Sequence, residues 1–407
     1  MYKQPKKKRS MRCPNCNSIS TKKNGKRKLT YIGFDRKSKK QTQRYRCKKC
    51  QKTFSKRRDS HKHYSSGFRE QIVRMHIEER MSFRVMSKRL KERFAVKISA
   101  GYLCRIFNET ISKVKSSRQI KEECQPQWEG YLIVDDKMIN IKGDKKLSLI
   151  AKDRSGDIVH EELLDYIQQD RYDDFIRFIK LRLNYQFKSI TTDLDPMLSK
   201  AIKTVLPESC PHQLCLKHTL DNIYRIVKYQ TLKVKLNKLE REAQMKQWKL
   251  SEDRQQELIK LRGEIEQRDK MIKQIKQFLW HKGRKKSEAI FKTIIESYAK
   301  KFPNVIDLLT KNKEGLLRHH LDNKIPKTNN DAENTNRQIK RRLKTIEAFQ
   351  SKKNAENYLI IICNHLRMKP YTDCRGPRKY RNGYSPLQLC QAKLSTNDWV
   401  KFSLNYL

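Results

Sequence analysis

Two adjacent acids stand at the end of an apolar segment, where burial makes charge costly. The sequence GYLIVDDKMINIKG, residues 130–143, places Asp135 and Asp136 directly after four apolar residues. A run rich in β-branched and aromatic residues predicts a buried strand. Carboxylates at the end of such a strand are unfavourable unless cations or hydrogen-bond donors meet them. The pair is therefore a candidate cation site, and alternation along a strand buried on both faces does not choose between the two acids.

A second candidate acid lies in ITTDLDP, residues 190–196. Asp195 precedes Pro196, and Asp-Pro is a favourable N-cap and first position of a helix, so Asp195 has a sufficient structural explanation. Asp193 stands at the end of the predicted strand and lacks that explanation. Asp193 is therefore the better candidate for chemistry.

The third candidate acid is Glu333, within PKTNNDAENTNRQIKRRLK at residues 326–344. Asn330 as N-cap with Glu333 three residues later forms a capping box, which would explain Glu333 without any chemistry. Arg337 and Lys340 lie four and seven residues after Glu333, on the same face of the predicted helix. There they could hold phosphate groups beside a metal-bound carboxylate.

The elements that must position these acids follow the order β-β-β-α-β. After the first strand come a second strand, a turn at residues 154–157, a third strand, a helix carrying Phe175 and Ile179, and the strand that ends at Asp193. This order begins an RNase H-like fold, so the predicted fold class is α/β. An acid of the first strand, Asp193 and Glu333 occur in the order and settings that a two-metal site of that fold requires.

Asp193 and Glu333 are 140 positions apart, more than a minimal RNase H-like fold needs. Apolar residues keep heptad spacing in two runs of this stretch. The runs are Tyr229, Leu232, Leu236 and Leu239, and Leu258, Leu261, Ile265, Ile272 and Ile275. We predict an antiparallel helical hairpin inserted in the catalytic domain; a solvated helical spacer is the alternative.

Two cysteine pairs, CPNC at Cys13 and Cys16 and CKKC at Cys47 and Cys50, lie 30 residues apart in a basic segment. Zinc prefers four ligands such as thiolates in a tetrahedron, and each C-x-x-C turn supplies two. A β-ribbon with an extended hairpin would bring the pairs together, so we predict a structural Zn²⁺ site. The alternative is a redox pair, but that chemistry uses one motif beside a βαβ unit.

Residues 64–114 predict three short helices with Ser82 and Ser99 as N-cap candidates. Two short helices joined by a tight turn fit a helix-turn-helix, with residues 99–114 as the helix that would enter the major groove. An ordinary three-helix bundle is equally compatible with the apolar spacing. The position beside a basic zinc ribbon favours DNA binding.

The composition indicates a polyanionic partner. Lys and Arg number 94 against 44 Asp and Glu, a formal net charge of +50, and 23 of these cations lie in residues 1–60. Nucleic acid is the first expectation and an anionic membrane surface the second. The sequence has no run that would span a bilayer and no secretory signal, and its eleven cysteines suit a reducing compartment. We expect a cytoplasmic, nucleoid-associated protein.

Four stretches, YLIVDD, ITTDLDP, PHQLCLKH and TNNDAENTNRQIKRR, resemble DDE transposases of prokaryotic insertion sequences, particularly the Mutator-like branch. The resemblance covers most of residues 128–390, and a zinc ribbon with a helix-turn-helix is a familiar front end. It implies that Asp135 is the first acid, with Asp193 and Glu333 as the second and third. These three would hold two Mg²⁺ or Mn²⁺ ions.

The segment CPHQLCLKH, residues 210–218, supports three interpretations. Cys210, His212, Cys215 and His218 could form a second zinc site, although both pairs would sit on one short helical segment. A helix with a buried cysteine and a satisfied histidine is the plain alternative. The resemblance implies instead a C-x-x-H signature, Cys215 and His218, with His218 near the active site.

The resemblance implies a transposase that binds terminal inverted repeats and catalyses two-metal DNA strand cleavage and strand transfer. Its partners would be the double-stranded DNA of the transposon ends and of the target, and joining two ends implies at least a dimer. One alternative is a catalytically inactive, domesticated transposase that acts as a sequence-specific DNA-binding regulator. An RNase H-like nuclease or resolvase is a third hypothesis.

The predicted architecture is a zinc ribbon and a helix-turn-helix ahead of an RNase H-like catalytic domain with an all-helical insertion. The predicted segments are a zinc ribbon with basic arm (1–60), a helix-turn-helix domain (61–115), the first part of the catalytic domain (125–222), the helical insertion (223–300), the second part of the catalytic domain (301–368) and a C-terminal tail (369–407).

Overall fold

A computed structural model of the protein describes residues 11–32, 37–55, 64–245, 251–343, 346 and 349–404. The chain divides into two compact units, Met1–Val114 with Leu404–Leu407 and Lys115–Ser403. The start of the predicted basic arm, residues 1–10, lies outside the described residues. Within the described ranges, no helix has both the length and the apolar composition that crossing a bilayer needs.

The first unit opens with a three-stranded antiparallel sheet. Its strands, in order across the sheet, are β1 (Thr21–Ile32), β2 (Lys37–Cys47) and β3 (Thr53–Ser55). β1 and β2 form the extended hairpin that the cysteine spacing predicts, and Thr21 pairs with Cys47. Because Cys16 lies shortly before β1 and Cys50 shortly after β2, this register brings the two cysteine pairs to one end of the hairpin.

Three helices follow in the first unit, as predicted. They are α1 (Ser66–Ile77), α2 (Phe83–Phe94) and α3 (Ala100–Ile111). The hydroxyls of Ser82 and Ser99 accept backbone N–H groups of the first turns of α2 and α3, so both predicted N-caps are confirmed. Ala95 ends α2 in the left-handed conformation, with a φ of 51°, and starts the turn toward α3.

The second unit is built on a five-stranded mixed sheet. Its strands are β4 (Tyr131–Ile141), β5 (Asp144–Asp153), β6 (Ile158–Leu163), β7 (Ser189–Thr192) and β8 (His212–Leu214), in the order β6-β5-β4-β7-β8. The β6, β5 and β4 neighbours are antiparallel, whereas β7 is parallel to both β4 and β8. Since α5 (Gln169–Leu181) connects β6 to β7, the predicted β-β-β-α-β order is confirmed.

The second unit also contains helices that precede, connect or follow these strands. They are α4 (Ser117–Cys124), α6 (Pro196–Val205), α7 (Leu216–Ile226), α8 (Tyr229–Met245), α9 (Glu252–Trp280), α10 (Arg284–Tyr298), α11 (Pro303–Leu317), α12 (Asn330–Leu343), α13 (Lys352–Met368), α14 (Pro386–Leu389) and α15 (Trp399–Ser403), with 3-10 turns at Arg318–His320 and Gly376–Arg381. The predicted tail is not a separate extension, because α14 and α15 pack on α13.

Helices cover both faces of the sheet. Leu132 and Val134 point into a buried cluster with α5 and α6, and α12 packs on β4 and β5 from the other side. Because side chains alternate along a strand, Asp136 is on the α5 and α6 side and Asp135 on the α12 side. Each acid therefore meets a different layer of helices.

Among the described residues, six helices, α6 to α11, lie between Asp193 and Glu333, and three of them, α8, α9 and α10, occupy the predicted insertion. α8 and α9 lie antiparallel, and three ion pairs join them: Lys235 with Glu257, Glu240 with Arg262, and Glu242 with Arg254. Ile265, Ile272 and Ile275 of α9 are buried in a core shared with α10 and α11. The heptad pattern thus predicted the helices correctly, and buried isoleucines argue against a merely solvated spacer.

Candidate active site

Asp135 is held by two asparagine side chains. Nδ2 of Asn336 donates to Oδ2 of Asp135 at 2.7 Å, and Nδ2 of Asn329 donates to Oδ1 at 2.9 Å. Asn329 directly precedes α12 and Asn336 lies on it, so the packing of this helix on β4 delivers both donors. Burial raises the pKa of Asp135 to about 6, although the hydrogen bond from Asn336 acts in the opposite direction. The amides therefore orient a carboxyl group that burial disfavours in its charged form.

Asp193 reaches the same edge of the sheet through parallel strand pairing. Ile133 of β4 pairs with Thr191 of β7, so Asp193 and Asp135, each two residues further on, are level with one another. Burial raises the pKa of Asp193. It also raises the pKa of Asp136 to about 6, with the negative charge of Asp193 adding to the effect. Three acids thus share one partly dry region of the sheet. Asp193 follows the end of β7 as predicted, but Asp135 and Asp136 lie inside β4, because this strand continues its pairing with β5 as far as Ile141 instead of ending at the acid pair.

Asp195 has the structural role that its position before proline predicts. Its Oδ1 accepts the backbone N–H groups of Met197 at 2.7 Å and Leu198 at 3.2 Å, which caps α6. The backbone N–H of Asp195 donates to Oδ1 of Asp193 at 3.1 Å. The turn that caps the helix therefore also orients the neighbouring acid.

Glu333 enters the site from α12 and bonds to side chains of α7. Its Oε2 accepts Nζ of Lys217 at 2.7 Å, and its Oε1 lies 3.5 Å from Nε2 of His218. The helix already includes Asn330, and the backbone N–H of Glu333 donates to the carbonyl of Asn329 at 3.0 Å. The capping-box explanation is therefore wrong, because Asn330 is not the N-cap and the Glu333 carboxylate points to another helix.

His218 carries positive charge beside these acids. The Cys215 side chain and the carboxylates of Glu333 and Asp193 raise the pKa of His218 to about 9, so the imidazole is protonated at neutral pH. Cys215 is the N-cap of α7, and its Sγ accepts the backbone N–H of His218 at 3.5 Å. This cap fixes the first turn of α7 and with it the approach of His218 to Glu333.

Residues 210–218 do not form the single short helix that the zinc interpretation considered. His212 lies on β8, where its Nε2 is 2.8 Å from Oγ1 of Thr192, whereas Cys215 begins α7. Cys210 packs against the apolar core of the sheet. Within the described part of the chain, these side chains are not among the groups whose ligand atoms cluster as a metal site requires. A second zinc site here has no structural support.

One open cleft unites the predicted site residues. It has a volume of about 410 Å³ and is lined by Asp135, Asp136, Lys137, Asp193, His218, Glu333, Asn336, Arg337 and Lys340. All three predicted acids, the predicted histidine and both predicted phosphate-binding cations are therefore in one place. Arg337 and Lys340 are exposed, so their charges are available to an anion that enters the cleft. Such a site combines ligands for divalent cations with groups that bind phosphate.

Comparison with known protein families agrees with this geometry. The model described as Transposase IS66 family matches residues 150–357, about half of the chain. The chain belongs to the IS66 family of transposases. The match supports the expected transposase of an insertion sequence but gives no support to the Mutator-like branch that the motifs resembled. No curated protein matches the chain.

The match to the IS66 family covers Asp193, His218 and Glu333 and begins after Asp135. The first acid is connected to the matched region by the fold, since β4 pairs with β5 on one side and β7 on the other. The cleft of this IS66-family transposase is therefore assembled from residues on both sides of the boundary at residue 150.

The cleft of the IS66-family chain suits hard divalent cations, because its donors are oxygen atoms. Beside the acids, three buried oxygens have no hydrogen-bond partner among the described residues: Oε1 of Glu333 and the Oδ1 atoms of Asn329 and Asn336. Protein donors hold both oxygens of Asp135, Oδ1 of Asp193 and Oε2 of Glu333. The three carboxylates are not as tightly clustered as the cysteines described next. The donor chemistry fits Mg²⁺ or Mn²⁺.

The ribbon of this IS66-family transposase carries a separate, sulfur-based cluster. Sγ of Cys13 lies 3.6 Å from that of Cys50, and Sγ of Cys16 lies 3.5 Å from that of Cys47. All four ligand atoms are within 4.8 Å of one another. Backbone N–H groups lower the pKa of Cys47 and of Cys50, which favours the thiolate form that binds metal. Although a backbone hydrogen bond at Ser18 acts in the opposite direction, the pKa of Cys16 is raised by burial and by its thiol neighbours. The cluster could hold the predicted structural zinc ion.

Three residues that contact the acids were missed from the sequence: Lys217, Asn329 and Asn336. Asn329, Glu333 and Asn336 are spaced by four and three residues, which is the spacing of one helical face. That pattern could have identified both asparagines. Lys217 had no comparable signal, because its approach to Glu333 depends on how α7 and α12 are placed by the fold.

Proposed function

We propose that this protein is a DDE transposase that binds the terminal inverted repeats of its element, cleaves DNA there and joins the 3′-hydroxyls to target DNA. One observation carries the proposal. Asp135, Asp193 and Glu333 come from distant parts of the sequence, yet they line one cleft together with His218 and exposed cations. Membership of the IS66 family supplies the class of activity.

An RNase H-like catalytic fold is part of this proposal. The order β6-β5-β4-β7-β8, with three antiparallel strands followed by two parallel ones, is what the β-β-β-α-β pattern of that fold requires. In this arrangement the first and second acids lie on adjacent parallel strands, β4 and just after β7. The third acid comes from a helix that packs on the same sheet.

Asp135, Asp193 and Glu333 would hold the divalent cations. Bound there, Mg²⁺ or Mn²⁺ would activate the attacking water or 3′-hydroxyl and stabilise the leaving oxygen. The chain's own contribution is orientation: Asn329 and Asn336 hold Asp135, and Lys217 and His218 hold Glu333. These partners keep charged acids in place in a region where burial and mutual repulsion oppose ionisation.

The cations of the cleft would bind the DNA backbone. Arg337 and Lys340 stand on α12 one and two turns beyond Glu333, and Lys137 follows the acid pair of β4. A guanidinium can donate two hydrogen bonds to one phosphate, which fixes its orientation as well as its position. His218, protonated beside Glu333, can donate to the scissile phosphate and offset charge that develops during transfer.

The first unit would recognise the ends of the element. The four-cysteine ribbon and α2 expose several Lys and Arg side chains, and α3 exposes Arg105, which suits phosphate contacts. The exposed Arg105 and the half-buried Asn108 lie one turn apart on α3, and these residue types pair with guanine and adenine edges in the major groove. Joining two ends requires at least two active sites, so we propose that the protein acts as a dimer or a larger assembly on DNA.

Strand transfer in vitro tests the proposal. Purified protein, Mg²⁺ or Mn²⁺ and DNA carrying the ends of its own genomic locus would be compared with Glu333→Gln. Glu356→Gln is the control, because Glu356 pairs with Lys352 on α13 much as Glu333 pairs with Lys217. We expect metal-dependent joining in the wild type and in Glu356→Gln, and none in Glu333→Gln.

Two results would replace the proposal. Tight binding to the ends without cleavage by any of the proteins would indicate a DNA-binding regulator derived from a transposase. Cleavage that ignores the ends and prefers branched DNA would indicate a nuclease or resolvase.

A further inference from the structure

A short basic loop follows α13 and has no role in the site described above. The loop, residues 371–384, contains four cations and one acid: Arg375, Arg378, Lys379 and Arg381, and Asp373. Arg375, Arg378 and Lys379 are exposed, and no ion pair is found for Arg375 or Lys379 among the described residues. Such a surface is suited to an anionic partner. The residues around the loop indicate which kind of anion it binds.

The backbone of the basic loop is fixed at both ends. Tyr371 exchanges backbone hydrogen bonds with Gly383 and Tyr384 at 2.9 and 3.1 Å. The Asn382 side chain bonds to both backbone groups of Cys374, at 2.9 and 3.1 Å. A ligand that binds this loop would therefore lose little affinity to ordering the chain.

Two arginines anchor the basic loop to the catalytic unit. Arg381 is 6% exposed, and its Nη2 donates to the carbonyl of Arg154 at 2.8 Å. Arg378 Nη1 donates to Oδ1 of Asp331 in the first turn of α12 at 2.5 Å. Asp331 precedes Glu333 by two residues, and residues at that spacing face different sides of a helix. The loop is therefore tied to the helix that carries the third acid, on another side of that helix from Glu333.

Tyr380 gives the basic loop a second feature of sites that bind single-stranded nucleic acid. Its side chain is 63% exposed, and the Arg381 guanidinium lies 5.8 Å from the ring centroid. Cations that track the backbone, combined with an exposed aromatic ring on which a base stacks, are the usual components of such sites. DNA is preferred to anionic lipid as the partner because the chain belongs to a transposase family, and lipid vesicles provide the comparison in the test below.

We propose that the basic loop binds a single strand of DNA, with the ring of Tyr380 stacking on an unpaired base. The choice of DNA rests on the proposed function. The loop adds to that function a DNA contact outside the cleft.

Tyr166 provides a matched control for Tyr380. It is 47% exposed and has the Arg171 guanidinium 5.9 Å from its ring, but its neighbours Asp165 and Asp170 are acidic. A generic effect of removing an exposed tyrosine would appear in both variants. An effect of a DNA-binding surface would appear only at Tyr380.

The experiment uses the full chain, without divalent cations, and a single-stranded oligothymidylate that carries one 2-aminopurine. We expect wild-type binding to quench the fluorophore by stacking. Tyr380→Ala should bind about tenfold more weakly without quenching, Tyr380→Trp should restore both, and Tyr166→Ala should match the wild type. Arg375→Gln with Lys379→Gln should lower the slope of log affinity against log salt by about 0.7 for each phosphate that the variant no longer neutralises.

Equal affinity and quenching in Tyr380→Ala and Tyr166→Ala would overturn the proposal, as would an unchanged salt slope in the double variant. Binding to anionic vesicles that needs the cations but not Tyr380, with no effect on the oligonucleotide, would assign the loop to a membrane surface instead. Failure of end cleavage in the strand-transfer assay is a separate result, because the oligonucleotide assay needs neither metal nor Glu333.

Discussion

The cysteine cluster and the acidic cleft are both candidate metal sites, but the chain builds them in opposite ways. The cysteines come from two turns joined by one hairpin, with Cys13 and Cys50 only 37 positions apart. Asp135 and Glu333 are 198 positions apart and meet only because a sheet, a helical insertion and α12 are all in place. We therefore expect the cysteine site to contribute to the folding of its hairpin, whereas the acidic cleft depends on a fold that is already formed.

The two candidate metal sites also differ in how much room they leave for a substrate. The four thiol groups face one another closely enough to enclose a single ion, and soft ligands with four-fold coordination leave no place for a substrate. The acids of the cleft lie apart on an open surface, and Lys217 and His218 bind one of them. An open site with hard oxygen ligands leaves coordination positions for DNA and for a nucleophile.

Removing the cysteine cluster should have the largest effect on structure. We expect Cys47→Ser with Cys50→Ser to lose bound zinc and the folded ribbon together, since a structural zinc site supplies the folding free energy of so small a domain. Metal analysis and limited proteolysis would measure both losses. All four tryptophans lie in the second unit, so tryptophan fluorescence should report unchanged unfolding there.

Cys104→Ser is the control for this pair, because Cys104 is a half-buried thiol of the same unit outside the cluster. It should keep zinc and resist proteolysis. If the double variant lost zinc but its ribbon still resisted proteolysis, the ribbon would fold without its metal. The expected difference between the cysteine site and the acidic cleft would then be wrong.

Substitutions of Asp193 and Asp195 should distinguish a catalytic acid from a structural one. We expect Asp193→Asn to reduce strand transfer by about a thousandfold or more, because several kcal/mol of transition-state stabilisation depend on a charged ligand. Asp195→Asn should retain most activity and stability, since asparagine is as good an N-cap as aspartate. Rates of joining and urea unfolding would be measured for both. Equal loss of activity in the two variants would mean that the capping acid also takes part in the chemistry.

Buried acids of the cleft should lower the free energy of unfolding of the second unit, whereas the cysteine cluster should raise that of the ribbon. The pKa of Asp136 is raised from 3.8 to about 6 by burial and by Asp193. Between these values the folded state binds more protons than the unfolded state, so stability falls as pH rises through this window. Without divalent cations, Asp136→Asn should therefore be more stable than the wild type by up to about 3 kcal/mol above pH 6.

The advantage of Asp136→Asn should shrink as pH falls toward 4 and disappear below 3.8, where Asp136 is protonated in both states of the wild type. Urea unfolding followed by tryptophan fluorescence would measure it, in buffer free of Mg²⁺ and of chelators so that the ribbon is undisturbed. Asp144→Asn, at the exposed start of β5, should give no such pH-dependent difference. A stability difference for Asp136→Asn that was constant across pH would refute the electrostatic origin.

The same contrast explains how much the sequence could predict. The cysteine cluster, the serine N-caps and the cap at Asp195 depend on residues close in the chain, and all were predicted correctly. The strand order was predictable because the β-β-β-α-β pattern allows few topologies.

The cleft was only partly predictable. Its acids were predicted from strand ends and from a family resemblance. The partners of those acids, such as Lys217, arise from the packing of elements distant in the chain, which no local pattern encodes. The prediction that Asn330 caps the helix was wrong for a similar reason. The local pattern placed the helix start after Asn330, whereas α12 begins at Asn330 itself.

The smallest effect we expect concerns Asn336, which the fold places against Asp135. Asn336→Ala removes the 2.7 Å hydrogen bond while Asn329 still holds the other carboxylate oxygen. Groups that orient a metal ligand typically change metal affinity or activity by about 10–100-fold. We therefore expect a higher Mn²⁺ requirement for strand transfer and weaker Mn²⁺ binding by electron paramagnetic resonance. Asn334→Ala, exposed on the same helix, should change neither quantity. If Asn336→Ala lowered stability but left the Mn²⁺ dependence unchanged, the asparagine would be a packing residue of α12, and the organisation of the cleft would reside in its acids alone.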